Sequence, residues 1–178
     1  MGGPFDLRSP GPDPPWDLHA VIEIAAGGPP VKYEADPETG ALRVDRFLHP
    51  SMSYPVNYGY VPGTQAGDGD AVDVLVATAV PVVPGAVVRV RPIGLLDMAD
   101  EAGPDAKVLA VPVDALNPFY GYARSWRDLP PMLVEQVEHF FRHYKDLDAG
   151  RWAEVRSWSG PDEAAAFVAG ALQNRRVG

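Results

Sequence analysis

The chain has 178 residues, a formal net charge of −9 and no cysteine. That length suits one domain with a substantial core. The charge excludes the basic footprint that bare nucleic acid requires, and the missing cysteines exclude disulfides, zinc–thiolate centres and thiol nucleophiles.

No apolar run reaches the ~20 residues that cross a bilayer. The start, "MGGPFDLRSPGPDPPWD", lacks the positive and apolar regions of a signal peptide. It reads as a Pro/Gly-rich arm over residues 1–15, and the expected location is cytoplasmic, with no membrane and no nucleic-acid partner.

"HAVIEIAA" (19–26) reads as a strand with Glu23 inside it. "PPVKYEAD" (29–36) is a second strand, "DPETG" a turn ending at Gly40, and "ALRVDRFL" (41–48) the returning arm of a hairpin. "SYPVNYGYVPGT" (53–64) is aromatic with Pro and Gly punctuation, and suits a bent loop or irregular strand. "AVDVLVATAV" (71–80) is a strand followed by the turn "PVVPG". "AVVRVRPIGLLDM" (86–98) alternates as a long strand, "ADEAGPD" (99–105) is a loop, and "AKVLAVPV" (106–113) is another strand. Many short strands between turn signals predict a β-barrel or sandwich.

The last third changes character. "DLPPMLVEQVEHFFRHYKDL" (128–147) spaces Leu133, Val137, Phe140, Phe141 and Tyr144 as one helical face, after paired prolines that suit a helix start. "RWAEVRSWS" (151–159) is one more strand. "GPDEAAAFVAGALQNRR" (160–176) is a second helix, acidic at its start and ending on two arginines, as the helix dipole favours. The expectation is a single domain, 1–178, built as an antiparallel barrel with two helices packed on it.

The stretch "GDGDAVDVLVATAV" sets Asp68, Asp70 and Asp73 at the mouth of a strand, and a second acidic group follows at Asp100, Glu101 and Asp105. Side chains two apart on a strand share a face, so Asp68 and Asp70 are expected to point the same way. Crowded carboxylates are tolerable when they share divalent cations, and Mg²⁺ takes oxygen ligands; solvated turn aspartates are the bland alternative. Only three of the 15 basic residues are lysines, Lys32, Lys107 and Lys145, each near an acid. Lys is a point-charge phosphate binder. An EF-hand loop is excluded, because Val72 and Asp73 stand where it needs an oxygen ligand and glycine. "DGDAV" also matches the letters of the haloacid-dehalogenase motif, but there an apolar strand precedes the motif, and here it follows.

The stretch resembles the Asp-x-Asp-Pro-x-Asp signature of the magnesium-dependent soluble inorganic pyrophosphatases, with Ala71 in place of the proline. "VIEI", "VKYE", "VDRF", "YPVNYGYVPGT", "DEAGPDAK" and "HFFRHYKDL" resemble further blocks of that family in the same order, from Glu23 to Lys145. The resemblance implies a mainly β fold with α elements: an OB-like five-stranded antiparallel barrel with an additional hairpin and two C-terminal helices. It implies hydrolysis of pyrophosphate to two phosphates by a metal-activated water, with Mg²⁺ as cofactor and Mn²⁺ as a substitute. By resemblance, Asp68, Asp73, Asp100 and Asp105 are metal ligands and Asp70 is the general base. Lys32, Glu34, Arg46, Tyr58, Lys107, Tyr144 and Lys145 are then substrate-binding, and Glu23, Tyr54 and Glu101 support the site. The resemblance also implies a homohexamer, with His139 and His143, four apart on one helix face, as contact residues. A non-catalytic metal- or phosphate-binding barrel is the alternative.

Overall fold

The computed structural model describes residues 8–36 and 39–177, with side chains through residue 174. The first seven residues of the expected arm, the middle of the 36–40 turn and the side chains of the two terminal arginines lie outside the described residues. The strands are β1 (Leu18–Ile24), β2 (Val31–Ala35), β3 (Leu42–Phe47), β4 (Asn57–Val61), β5 (Val72–Val76), β6 (Val87–Asp100), β7 (Gly103–Pro104), β8 (Lys107–Pro112) and β9 (Ala153–Ser159). The helices are α1 (Pro131–His143) and α2 (Pro161–Val177).

Five strands close a ring in the order β1, β4, β5, β8, β6, with β6 returning to β1. Four seams are antiparallel, as expected. The fifth, β5 with β8, is parallel. The reason is parity: strand direction cannot alternate all the way round a ring with an odd number of members. The hairpin β2–β3 forms its own two-stranded sheet. β6 is 14 residues long. Its first part closes the ring on β1, and its second part carries β9 and the short β7. A register shift between Pro92 and Gly94 bends it between these two tasks.

The irregular 53–64 stretch contains a full barrel strand, β4. Gly59 permits this, because a Cβ there would meet the Val21 carbonyl oxygen at 1.9 Å. The loop expected at 99–105 is mostly a hairpin, since β6 runs to Asp100 and pairs with β7. α1 is shorter than the expected 128–147. Pro131 occupies its first turn and Tyr144 caps its end. Two 3₁₀ turns, Pro118–Tyr120 and Trp126–Asp128, escaped the sequence reading. Asn117 caps the first, and Ser125 with Asp128 forms a capping box on the second.

Strand alternation divides the core in two. Val72, Val74 and Val76 of β5 and Val108 and Ala110 of β8 join one cluster with residues of β1, β4 and β6, covered by Ala164, Val168 and Ala171 of α2. The opposite face of the same strands, with Leu75, Leu109 and Val111, packs with Tyr54, Phe140 and Phe141. Val134, Val137, Phe140 and Phe141 are the buried face of α1, and each such side chain contributes about 1.5–3 kcal/mol on burial. Asp73 and Lys107 share strand parity with Leu75 and Leu109, which puts them on the face that α1 covers.

Candidate active site

A cavity of about 960 Å³ opens between the β2–β3 hairpin, the mouths of β5 and β8, the β6–β7 turn and the end of α1. Glu23, Lys32, Glu34, Arg46, Tyr54, Tyr58, Asp68, Asp70, Asp73, Asp100, Glu101, Asp105, Lys107, Tyr144 and Lys145 all line it. Every residue assigned to the site from the sequence is therefore brought to one place, while His139 and His143, expected at a subunit contact, lie outside it.

Cations and carboxylates interleave there. Lys107 is 3% exposed, and its Nζ donates to Asp73 Oδ2 and Asp105 Oδ1, both at 2.8 Å. It also lies 5.4 Å from the Tyr58 ring centre and 5.5 Å from that of Phe141. Burial alone would lower its pKa, but the two carboxylates outweigh burial and hold it above the ordinary lysine value. Lys145, also buried, donates to Asp100 Oδ2 at 2.7 Å and to both Glu101 oxygens at 3.1 Å. Burial would raise Asp100, yet the Lys145 hydrogen bond and the Ala102 amide bring it below the usual range. Lys32 pairs with Glu34 on its own strand and with Asp45 Oδ2 at 3.5 Å across the hairpin.

Three carboxyls are held above their ordinary range. Glu23 is 6% exposed and accepts from the Ala35 amide at 2.6 Å, which ties β1 to the hairpin. Burial first, and then the charges of Asp73 and Glu34, push it up to about 8. Asp105 is raised by burial, with Lys107 opposing. Asp70 is raised by burial and then by the charges of Asp68, Asp73 and Glu34, with Lys32 opposing.

Asp68 and Asp70 sit in a turn that precedes β5, and not on the strand where alternation was expected to align them. Asp68 Oδ1 accepts the Asp70 amide at 3.0 Å, which closes the turn. Glycine at 69, with φ +94, takes its left-handed corner.

Arg46 carries a buried Nε without a hydrogen-bond partner among the described residues. Its guanidinium lies 5.8 Å from the Tyr144 ring centre. The nearest carboxylate to that Nε is Asp45 Oδ2 at 4.0 Å, and a guanidinium in the lining of such a cavity suits an anionic ligand. The carboxylates suit a hard divalent cation. Among the described residues no three of them converge on one point, but Mg²⁺ retains several waters and needs only one or two carboxylates besides substrate phosphates.

Asp45, Tyr60, Arg8 and Arg151 also line the cavity, and the sequence reading missed them as site residues. For Asp45 a signal was available: Lys32 and Arg46 are register partners in the hairpin, so the residue before Arg46 is near Lys32. Arg8 and Arg151 carried none, being brought in by the arm and by the turn before β9.

A small closed barrel bearing a cleft of carboxylates, lysines and a half-buried arginine is a hydrolase scaffold for a compact, highly charged phosphoanhydride. The family description "Inorganic pyrophosphatase" matches residues 20–176. The chain is 58% identical over 163 residues to an inorganic pyrophosphatase of Caulobacter vibrioides, covering 92% of each chain. A solved inorganic pyrophosphatase from Coxiella burnetii superposes with a TM-score of 0.90 at 46% identity, over 93% of this chain and 98% of that one. The Thermus thermophilus inorganic pyrophosphatase gives 0.90 at 36% identity, over 98% and 99%. The chain belongs to the inorganic pyrophosphatase family, and the reaction of that family is hydrolysis of inorganic pyrophosphate.

Proposed function

We propose that this chain hydrolyses magnesium pyrophosphate by direct attack of water on phosphorus, with Asp70 as general base and no covalent intermediate. The observation that carries the reading is the setting of Asp70: a carboxyl held above its ordinary range by partial desolvation and three neighbouring carboxylates, at the edge of a cavity that also holds three lysines and Arg46. A base in that setting accepts a proton more readily than a solvated aspartate.

Asp68, Asp73, Asp100 and Asp105 would hold Mg²⁺, with Mn²⁺ as a substitute. When bound, the ions supply neutralisation of the phosphate charge and a water whose pKa is lowered towards ~7. Lys32, Arg46, Lys107 and Lys145 bind phosphate oxygens as cations, Tyr58 and Tyr144 as hydroxyl donors. Glu34 orients Lys32 through their hydrogen bond. Glu23, Tyr54 and Glu101 support the cations and the hairpin. The water oxygen forms a bond to one phosphorus and the bridging P–O bond breaks. The water's proton passes to Asp70, and the departing phosphate oxygen is met by the cations. Catalysis here is mostly positioning and electrostatics.

The whole chain acts as one cytoplasmic domain in a homo-oligomer, a hexamer by resemblance. Among the described residues, no helix is long and apolar enough to cross a membrane. His139 and His143, with ring centres 4.5 Å apart on the face of α1, are the contact residues of this reading. Phosphate release from pyrophosphate tests the enzyme: release with Mg²⁺ and none with EDTA is expected, and no release with Mg²⁺ would end the proposal. Sedimentation tests the assembly, and a monomer mass would remove the hexamer.

A further inference from the structure

The turn that carries Asp68 and Asp70 is exposed over residues 67–70. Its internal hydrogen bonds, Ala66 carbonyl to Gly69 amide at 3.1 Å and Ala66 amide to Asp70 carbonyl at 2.7 Å, fix its shape. They do not fix where the turn stands relative to the cavity. That placement comes from its two anchors: the base of the hairpin, where Thr64 Oγ1 accepts the Val72 amide at 2.9 Å beside the β4–β5 pairing, and, beyond that base, α2. The Gln65 amide donates to the Ala171 carbonyl at 2.9 Å, and Asn174 Nδ2 donates to the Gln65 carbonyl at 3.2 Å. Both backbone polar groups of Gln65 are thus held by the last turns of the helix. The Gln65 side chain then reaches forward, Nε2 donating to the Gly69 carbonyl at 3.3 Å, between Asp68 and Asp70. Ala66 packs on the cluster that contains Val168 and Ala171. No described residue of α2 lines the cavity itself.

We propose that the C-terminal helix positions the catalytic turn through Gln65 and Asn174, which are positioning residues for Asp70. This rests on the reading of Asp70 as the base. The Thr64–Val72 closure pins the base of the hairpin, but the segment beyond it, rigid internally, can swing as a unit without the α2 contacts, and a base displaced by about 1 Å can lose ~100-fold in rate. The clamp on Gln65 removes that swing at the N-terminal stem. On the C-terminal side, the Val72 amide is held by Thr64, but the Ala71 amide before it donates no hydrogen bond among the described residues. Proline there would narrow φ and stiffen the turn independently of α2.

The test uses the full-length protein with Mg²⁺ and pyrophosphate. Q65A and N174A are each expected to lower kcat about tenfold. KM should stay within about twofold, because the substrate-binding cations are untouched. Amide exchange over residues 66–72 should accelerate in both. Adding A71P to N174A should recover most of kcat. A166G weakens α2 at an exposed position away from the turn; it should lower the melting temperature and leave kcat within about twofold. An inactive D70N beside Q65A and N174A at wild-type kcat would overturn the positioning role alone. Full turnover in D70N would overturn the base assignment and the positioning role with it. A loss in A166G equal to that in N174A would assign the effect to helix stability and overturn the inference.

Discussion

Asp73 and Lys107 stand side by side across the parallel seam of the barrel, Oδ2 to Nζ at 2.8 Å. Val74 is the register partner of Val108, so the residues just before each meet at the same mouth. Parallel neighbours begin at the same end, whereas antiparallel neighbours set one strand's start against the other's finish. The odd-membered ring requires a parallel seam, and that seam gathers the "DGDAVD" carboxylates and the "PDAK" lysine into one site.

Replacing Lys107 with methionine keeps the volume and strips the charge, which leaves the half-buried Asp73 and Asp105 facing each other without the buried ammonium between them. Removing one partner of a buried ion pair costs about 3–5 kcal/mol. K107M is expected to lose about that much in urea denaturation with EDTA present, and to bind pyrophosphate weakly. A wild-type urea midpoint would show that Lys107 is not holding the two carboxylates together.

Asp70→Asn removes the proton acceptor and keeps the shape. Turnover should fall by about 10²–10⁴, the usual contribution of a positioned base, with an unchanged circular dichroism spectrum. Mg²⁺ titration should still register the remaining carboxylates. Substantial turnover in this variant contradicts the assignment.

Glu23 predicts a pH signature. Its carboxyl titrates at about 8 in the folded chain, against an ordinary 4.5. Between those values the folded state retains a proton that the unfolded state has released. Stability is therefore highest below 4.5 and falls as pH rises toward 8, at about 1.4 kcal/mol per pH unit from this group at most. Glu23→Gln should flatten that part of the profile in metal-free protein, as read by thermal melts from pH 4.5 to 8. Identical slopes in the two proteins would show that Glu23 is ionised throughout.

Gly59 pairs with Ile22 where β4 passes close to β1. An added Cβ would meet Val21 carbonyl oxygen at 1.9 Å, Val21 carbonyl carbon at 2.8 Å and Ile22 Cα at 3.0 Å, all of them backbone. None can rotate away, so Gly59→Ala must part the two strands. The expected loss is about 3 kcal/mol or more, at the upper end for overpacking. A melting temperature within a few degrees of wild type would mean that the seam is looser than its geometry implies.

Much of this was legible from local pattern. The strands at 19–26, 71–80 and 86–98 announced themselves by apolar runs or alternation, and both helices by spacing and terminal residues. Three isolated lysines pointed to the cavity before any fold was known. The shared face expected for Asp68 and Asp70 borrowed strand alternation for residues just ahead of the strand, where Gly69 at φ +94 makes a turn instead. β4 was half hidden because the same letters, "NYGYV", serve equally as loop until a neighbouring strand needs the glycine.

Composition, cysteine count and local periodicity determined, by themselves, a chain of many short strands, barrel or sandwich, with two helices, acidic loop ends and a small set of lysines, since each of these depends on neighbours within a few residues. Lys32 with Glu34 and Lys107 with Asp105 are local pairs two residues apart, but the distant partners were decided only by the tertiary structure. Lys145 reaches Asp100 across 45 positions of sequence, Lys107 reaches Asp73 across 34, and Asn174 reaches Gln65 across 109. Such contacts depend on ring closure, register and helix docking, which no local pattern encodes.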